Sequence, residues 1–541
     1  MKTVRILTQM VRADLLERTR RHSFLITLGL MIFLAYAYVP SRTAGYITLS
    51  VDGARGVYNA AWVGSLVAIL TALLMPLVGF YLVKNAVARD TATGVGQIIA
   101  TTPLRRPLYT LGKWLSNLAV LAVMVGVTAL AAVIWQFALG EDRRLDLVAL
   151  WSPMLWVALP TLALVAALAV LFETIGWLRG GLGNVIYFFV CTALTMGSFL
   201  PVMMSAGGMD VAPLPVDVLG IGRPLAAMLQ DTSATLSGLD AADNSIGPIP
   251  VALAGPLQTF VWAGVPWTLP EIAARLVWVG VGFAIALLAA LFFNRFDPAH
   301  ERRRRTKDQG SRAEALAPTT HDPWQPASFV LQLSPVVAAR WSFGRVLLAE
   351  LRLLLSGVRW WWYGVMAALM LAGLLTPIDV ARHYLLPATW LWPILLWSAL
   401  GAREARHNTA QIVFSAAHPL GCQLPATWLA GVLVTALAGS GVAINLLLAG
   451  DGVALLAWSV AAVFIPALAL ALASWSGSSK LFEVIYMVLW YFGPMNQIVP
   501  QLDFMGVSDT ARAAGMPLVY LVVTLALMGI AIVGRRRQLQ G

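Results

Sequence analysis

Two short charged motifs interrupt an otherwise apolar chain. Arg89-Asp90 and Arg403-Glu404 each set a guanidinium beside a carboxylate, 314 residues apart, and each is followed by a Gln-Ile (Gln97-Ile98 and Gln411-Ile412). Adjacent charges of opposite sign form charge-assisted bonds to a neighbouring helix or protein, which suits docking and force transmission better than bond-breaking chemistry. The plainer alternative is anchoring at a membrane surface. A Pro-Leu follows each motif, Pro103-Leu104 and Pro419-Leu420. Both prolines are expected to end a helix, because the residue before proline is pushed out of the α conformation. Other reactive side chains are dispersed. Gly112-Lys113 lacks the upstream glycine and the following Ser/Thr of a phosphate-binding loop. The six histidines are scattered, no HExxH occurs, and Cys191 and Cys422 have no metal-ligand spacing. The expectation is a chain with no catalytic residues, no metal site and no cofactor of its own.

The elements that carry these motifs are membrane spans. Of 541 residues 59% are hydrophobic and 12% charged, with a mean hydropathy of +0.76. That composition excludes a disordered chain, a disulfide-stapled secreted domain and an ordinary soluble enzyme. Twelve runs free of Asp, Glu, Lys and Arg are long enough to cross a bilayer, near 23–41, 61–83, 114–136, 148–172, 185–205, 276–294, 360–378, 384–402, 425–449, 453–474, 484–500 and 514–534. The eighth and eleventh are the weakest, being short or rich in Pro and Trp. The predicted class is an all-α polytopic membrane protein. Amphipathic helices are expected at the start of each half. In the first, Val4, Leu7, Val11 and Leu15 share one face, with Arg5, Arg12 and Arg18 around the other. Residues 343–356 read the same way, and Glu350 stands where the first helix has Asp14.

The basic residues orient the chain. With the N-terminus inside, 29 of the 37 Lys and Arg fall on the inner face, giving +17 inside and −6 outside, which together make the formal charge of +11. The positive-inside rule then places both termini in the cytoplasm, and the charge no longer points to nucleic acid. The basic stretch Arg302–Arg305 suits acidic lipid headgroups.

The two halves repeat. Besides the charged motifs, Trp114 matches Trp428, the PTLAL of 160–164 matches PALAL at 466–470, and Val185-Ile186-Tyr187 matches Val484-Ile485-Tyr486, in the same order. This predicts a duplicated six-helix unit with a pseudo-two-fold axis along the membrane normal. The first unit spans 1–294 with a long outer loop at 206–275, a basic linker follows at 295–342, and the second unit spans 343–541. Pro160 and Pro466 recur mid-span as helix kinks. Asp210, Asp217, Asp231, Asp240 and Asp243 read as a solvated outer loop.

An interfacial helix, two spans, and a helical loop bearing Arg-Asp and Gln-Ile are followed by TPLRRPLYTLGK, residues 102–113. This order resembles the permeases of the type-2 ATP-binding-cassette (ABC) exporter family, over nearly the whole chain and in two copies. The second loop, HPLGCQLPATW at 418–428, departs by lacking the Arg-Arg and Gly-Lys. The resemblance implies a bacterial inner-membrane exporter of hydrophobic or amphipathic cargo, working by alternating access between the two halves. It implies two separate ATPase subunits that carry ATP and Mg and dock on the cytoplasmic loops, together with surrounding lipids and a possible periplasmic adaptor. The coupling residues would be Arg89, Asp90, Gln97, Pro103 and Lys113 in the first half, and Arg403, Glu404, Gln411 and Pro419 in the second. Rival classes are a proton-coupled 6+6 carrier, a membrane scaffold and an intramembrane transferase. The spans lack central charges, and the loop after the second span lacks the carrier motif, which disfavours the first rival.

Overall fold

Polar side chains placed just before the apolar runs start the helices. Asn59 accepts from the Trp62 N–H at the head of one span, Thr268 and Glu271 form a capping box at another, and Asp451 and Ser478 cap two more. The computed structural model describes residues 2–20, 24, 28–29, 31–33, 35, 38–40, 46–51, 53–206, 217–235, 245–250, 258–293, 296, 343–356, 358, 360–404, 409, 419–497 and 499–540. The chain divides into two compact units, Met1–Pro318 and Thr319–Gly541, with the division inside the expected linker.

Unit 1 begins with helix α1 (Lys2–Thr19). Strands β1 (Tyr46–Ser50) and β2 (Ala54–Gly56) precede the long helix α2 (Ala60–Val83). Two short helices follow, α3 (Ala86–Ala92) and α4 (Val95–Thr101), then α5 (Arg106–Leu139). Next come α6 (Leu147–Thr174), α7 (Gly181–Ala206) and α8 (Gly222–Thr235). Strands β3 (Ser245–Pro250) and β4 (Gln258–Phe260) lead to α9 (Leu269–Phe292). The loop read as solvated is thus partly built: β3 pairs antiparallel with β1 and β4 pairs parallel with β2. The core is aromatic around α2, where Phe80 stacks on Tyr187 of α7 with ring centroids 3.4 Å apart.

Unit 2 contains α10 (Phe343–Leu355), α11 (Trp360–Leu375), α12 (Leu386–Leu391), α13 (Ile394–Trp397), α14 (Leu424–Leu448), α15 (Gly452–Ser476), α16 (Ser479–Trp490), α17 (Asp509–Ala513) and α18 (Met516–Gln540). α10 meets α11 at a bend of 102°, so the amphipathic segment does not run straight into the apolar one. Buried Trp390, Trp397, Tyr486 and Phe464 build its core.

Among the described residues, eight helices are long and apolar enough to cross a membrane. The architecture is that of a multi-pass α-helical membrane protein. About half of the expected first span, nine of its nineteen residues, lies outside the described residues, and Met31, Ala35 and Tyr38 are buried at helical spacing. The two weak runs are not single helices. Pro387 and Pro393 fall where residues 384–402 break into short pieces, and α16 passes into a π turn, Tyr491–Met495, at Gly493-Pro494.

Three helices of unit 1 run past their apolar stretches. α5 begins at Arg106 and takes in Lys113, α6 ends at Thr174 and takes in Glu173, and α9 begins at Leu269 and takes in Arg275. Each charged side chain is buried and paired inside the unit, which removes the cost that would otherwise end the helix. Pro160 follows a π turn, Met154–Ala158, that widens α6. Pro466 sits within the α-helical run of α15.

Candidate functional site

Lys113 is the centre of a buried ion cluster at the α1 end of unit 1. Gly112 lets α1 lie close to α5: a Cβ there would stand 2.8 Å from the Met10 methyl. That contact brings Asp14 of α1 opposite the next residue. Lys113 Nζ is 3.0 Å from Asp14 Oδ2 and 2.9 Å from Asp90 Oδ2. Ser116 Oγ donates to Asp14 at 2.9 Å, and Tyr109 Oη donates to Asp90 at 2.6 Å. Arg89 reaches Glu17 at 3.1 Å and Asp14 at 3.9 Å. Burial raises the Asp14 carboxyl, but Lys113, Ser116 and Arg18 more than offset it and hold the group below its ordinary range. Asp14 is therefore ionised at neutral pH, and the cluster ties α1, α3 and α5 together.

The expected polar face of α1 is corrected at Arg18. It is buried, and Nη2 donates to Asn117 Oδ1 of α5 at 2.7 Å. Burial, with Arg89 nearby, brings its guanidinium down to about 10, still charged at neutral pH.

The loop between α2 and α5 has two faces. Asp90 is buried inward against Lys113 and Tyr109. α4 turns the other way, with Gln97 exposed, Val95 43% exposed and Ile98 67% exposed. Gly96, between them, packs on Phe296. α4 ends at Thr101, and extended Thr102 precedes Pro103, which is exposed and outside the ion cluster.

Unit 2 builds a related cluster from other residues. Arg403 lies 3.7 Å from Glu350 of α10, as Arg89 lies near Asp14 of α1. Glu404 takes Arg535 of α18 at 3.3 Å and Gln423 at 3.4 Å. At the repeat offset of 314, Gln423 and Thr427 stand where unit 1 has Tyr109 and Lys113. Burial raises the Glu350 carboxyl, Arg403 opposes it and Glu404 adds to it, leaving it above the ordinary range. Gln411 lies outside the described residues; Pro419 opens a π turn, Pro419–Gln423, that leads into α14.

Repeated contacts extend beyond the charges. Tyr187 Oη donates to the Pro76 carbonyl and Tyr486 Oη to the Trp390 carbonyl, both at 2.8 Å. Trp114 donates to the Ala163 carbonyl of α6, and Trp428 to the Val463 carbonyl of α15.

Several key residues escaped the sequence reading. Arg275 is buried in α9 and donates to the carbonyls of Trp156 and Val157 in the π turn and of Asp217 and Val218 in the following loop. Asp217, expected in a solvated loop, accepts from the Gly220 and Gly222 N–H groups instead. Asp503 does the same with Val507 and Ser508. A signal was present: Asp217-x-x-Gly220 and Asp503-x-x-Gly506 are a fourth repeated block, and both glycines have positive φ, +71° and +62°. Glu173 and Arg535 carried no local signal, because each acts on an element distant in sequence; Tyr109 stands inside the 102–113 stretch, where nothing marks it as the partner of Asp90.

No protein-family model matches the chain, and no curated protein matches it either. Among the described residues no three His, Cys, Asp or Glu side chains are grouped so as to hold a metal ion.

Proposed function

We propose that this chain is the permease of an ATP-driven exporter of the ABC type, made of two fused six-helix repeats. One observation carries the reading. In each unit an Arg-acid pair after an apolar stretch is held by an acidic residue of an amphipathic helix, Asp14 or Glu350, while its own acid meets a second cation, Lys113 or Arg535. The equal tyrosine–carbonyl bonds and the doubled Asp-x-x-Gly turns support the duplication. In this reading the clusters face the cytoplasm of a bacterial cell, and two ATPase subunits dock beneath them. Their closure on ATP displaces the loop helices, and the ion clusters pass that displacement to the spans. The cargo is hydrophobic or amphipathic, such as a drug, an antimicrobial peptide or a lipid.

We read the two faces of the loop as a division of labour. Asp90 works inward, and α4 presents Val95, Gln97 and Ile98 to the ATPase. Ile98→Asp is therefore expected to leave folding almost unchanged, as exposed substitutions usually shift stability by less than about 0.5 kcal/mol. It should cut co-purification of the ATPase at least about tenfold, because an interfacial carboxylate would lose its water, an effect of the size of an interface hot spot. Undiminished ATPase in the pull-down would remove α4 as the docking element.

A further inference from the structure

α3 follows α2 across a short interruption at Lys84-Asn85, where Asn85 adopts a left-handed φ of 86°, and the two together form one apolar span, Ala60–Thr91. Asn85 stands at the N-cap position but provides no side-chain cap. The first amides of α3 are satisfied from another span instead. Glu173, at the end of α6 and 2% exposed, accepts from the N–H of Asn85 at 2.5 Å and Ala86 at 2.9 Å through Oε1. Through Oε2 it accepts from Val87 at 2.7 Å and Ala88 at 3.1 Å. Two further bonds tie the break to the α6–α7 turn: Lys84 Nζ donates to Asn184 Oδ1 at 2.5 Å and to the Leu178 carbonyl at 3.3 Å. Arg179 Nε closes the turn on the Glu173 carbonyl.

We infer that Glu173 is a positioning residue that makes α3 and the α6–α7 turn move as one body, so that force on the loop enters the bundle through α6. The inference rests on the permease reading, but the clamp itself does not. The far end of α3 is held differently, by Arg89 and Asp90 to α1 and α5. The loop helix therefore has two side-chain attachments, to α6 and to α1 and α5, besides its covalent continuity with α2 across Asn85. A carboxylate sharing two oxygens among four amides has no equivalent in glutamine, which retains one carbonyl oxygen and brings two donors of its own.

The test has two arms. In the purified full chain, Glu173→Gln is expected to speed amide exchange across residues 85–88 at least about tenfold, the factor that corresponds to roughly 1.4 kcal/mol of lost protection. Glu173→Asp, which keeps the charge, should recover part of it. Unchanged exchange in Glu173→Gln overturns the clamp. In the complex with the ATPase that co-purifies from the native membrane, spin labels go on Thr93→Cys and Trp177→Cys. Their distance should stay constant between nucleotide-free and ATP-trapped states, and should change between those states in Glu173→Gln. A distance that changes in the parent chain, or stays constant in Glu173→Gln, overturns the transmission role while the permease reading stands. Failure of any ATPase to bind removes both the reading and the transmission role, and the exchange arm then reports a fold anchor alone.

Discussion

Lys113→Met is expected to lower the stability of unit 1 by about 3–5 kcal/mol, the usual cost of removing one partner from a buried ion pair. Lys113 is 3% exposed and lies between two carboxylates, Asp14 and Asp90. Without it, Asp90 keeps the Tyr109 hydroxyl and Asp14 keeps Ser116 and the more distant Arg89. Neither remaining set neutralises both charges. Thermal unfolding of the detergent-solubilised chain carrying Cys422→Ser, followed by a thiol-reactive dye at buried Cys191, would read the change. Adding Asp90→Asn should recover a substantial part of the loss, because it removes one stranded charge. A melting curve for Lys113→Met that matches the parent would mean that the two carboxylates are hydrated rather than paired. Unit 2 shows why Lys113→Thr alone should not be tolerated. Thr427 occupies the equivalent position there, but Arg535 reaches Glu404 from α18.

Arg275→Met carries a loss of similar size, about 3–5 kcal/mol, for a different reason. The Trp156 and Val157 carbonyls of the π turn at Met154–Ala158 accept from Arg275 of α9 at 2.9 and 3.2 Å, and Val157 also accepts from Thr161 Oγ1 of its own helix. The same guanidinium holds the Asp217 carbonyl at 2.7 Å and Thr161 Oγ1 at 3.1 Å. Its plane occupies the space that a side chain at residue 220 would need, since a Cβ on Gly220 would lie 2.4 Å from the guanidinium carbon. Methionine fills part of the volume but removes the guanidinium donors from these buried acceptors, leaving Val157 the Thr161 hydroxyl. Amide exchange should rise first in residues 217–222 and then across the π turn. Arg275→Lys should be intermediate, because an ammonium keeps the charge but cannot span acceptors on two elements. Equal protection in the parent and Arg275→Met would show that the π turn does not depend on this side chain.

The spans were legible wherever an apolar run was long, even with a single proline inside it, as at Pro76 and Pro466. Residues 61–83, 425–449 and 453–474 became single helices close to the expected limits. Proline and glycine decided the exceptions, at 384–402 and 484–500. Helix ends were misjudged where a charge was paired in the fold, as at Lys113, Glu173 and Arg275, because a sequence shows the charge and not its partner. The site was legible through repetition. Arg89-Asp90 and Arg403-Glu404 mark the two clusters, and Asp14 and Glu350 were already aligned. What repetition could not show is orientation: Asp90 faces inward, whereas Gln97 and Ile98 face outward. It also could not show substitution of role, in which Arg535 takes the place of Lys113 from a helix far along the chain. The Asp-x-x-Gly turns were available and missed, since their spacing from the flanking spans differs between the halves.

Native mass spectrometry of the chain purified from its own membrane tests the central claim most directly. The account predicts one copy of the 541-residue chain with two copies of an ATP-binding-cassette subunit, and ATP hydrolysis by that assembly. A chain that purifies without an ATPase, and gains none when mixed with the cell's ABC ATPases, would contradict it.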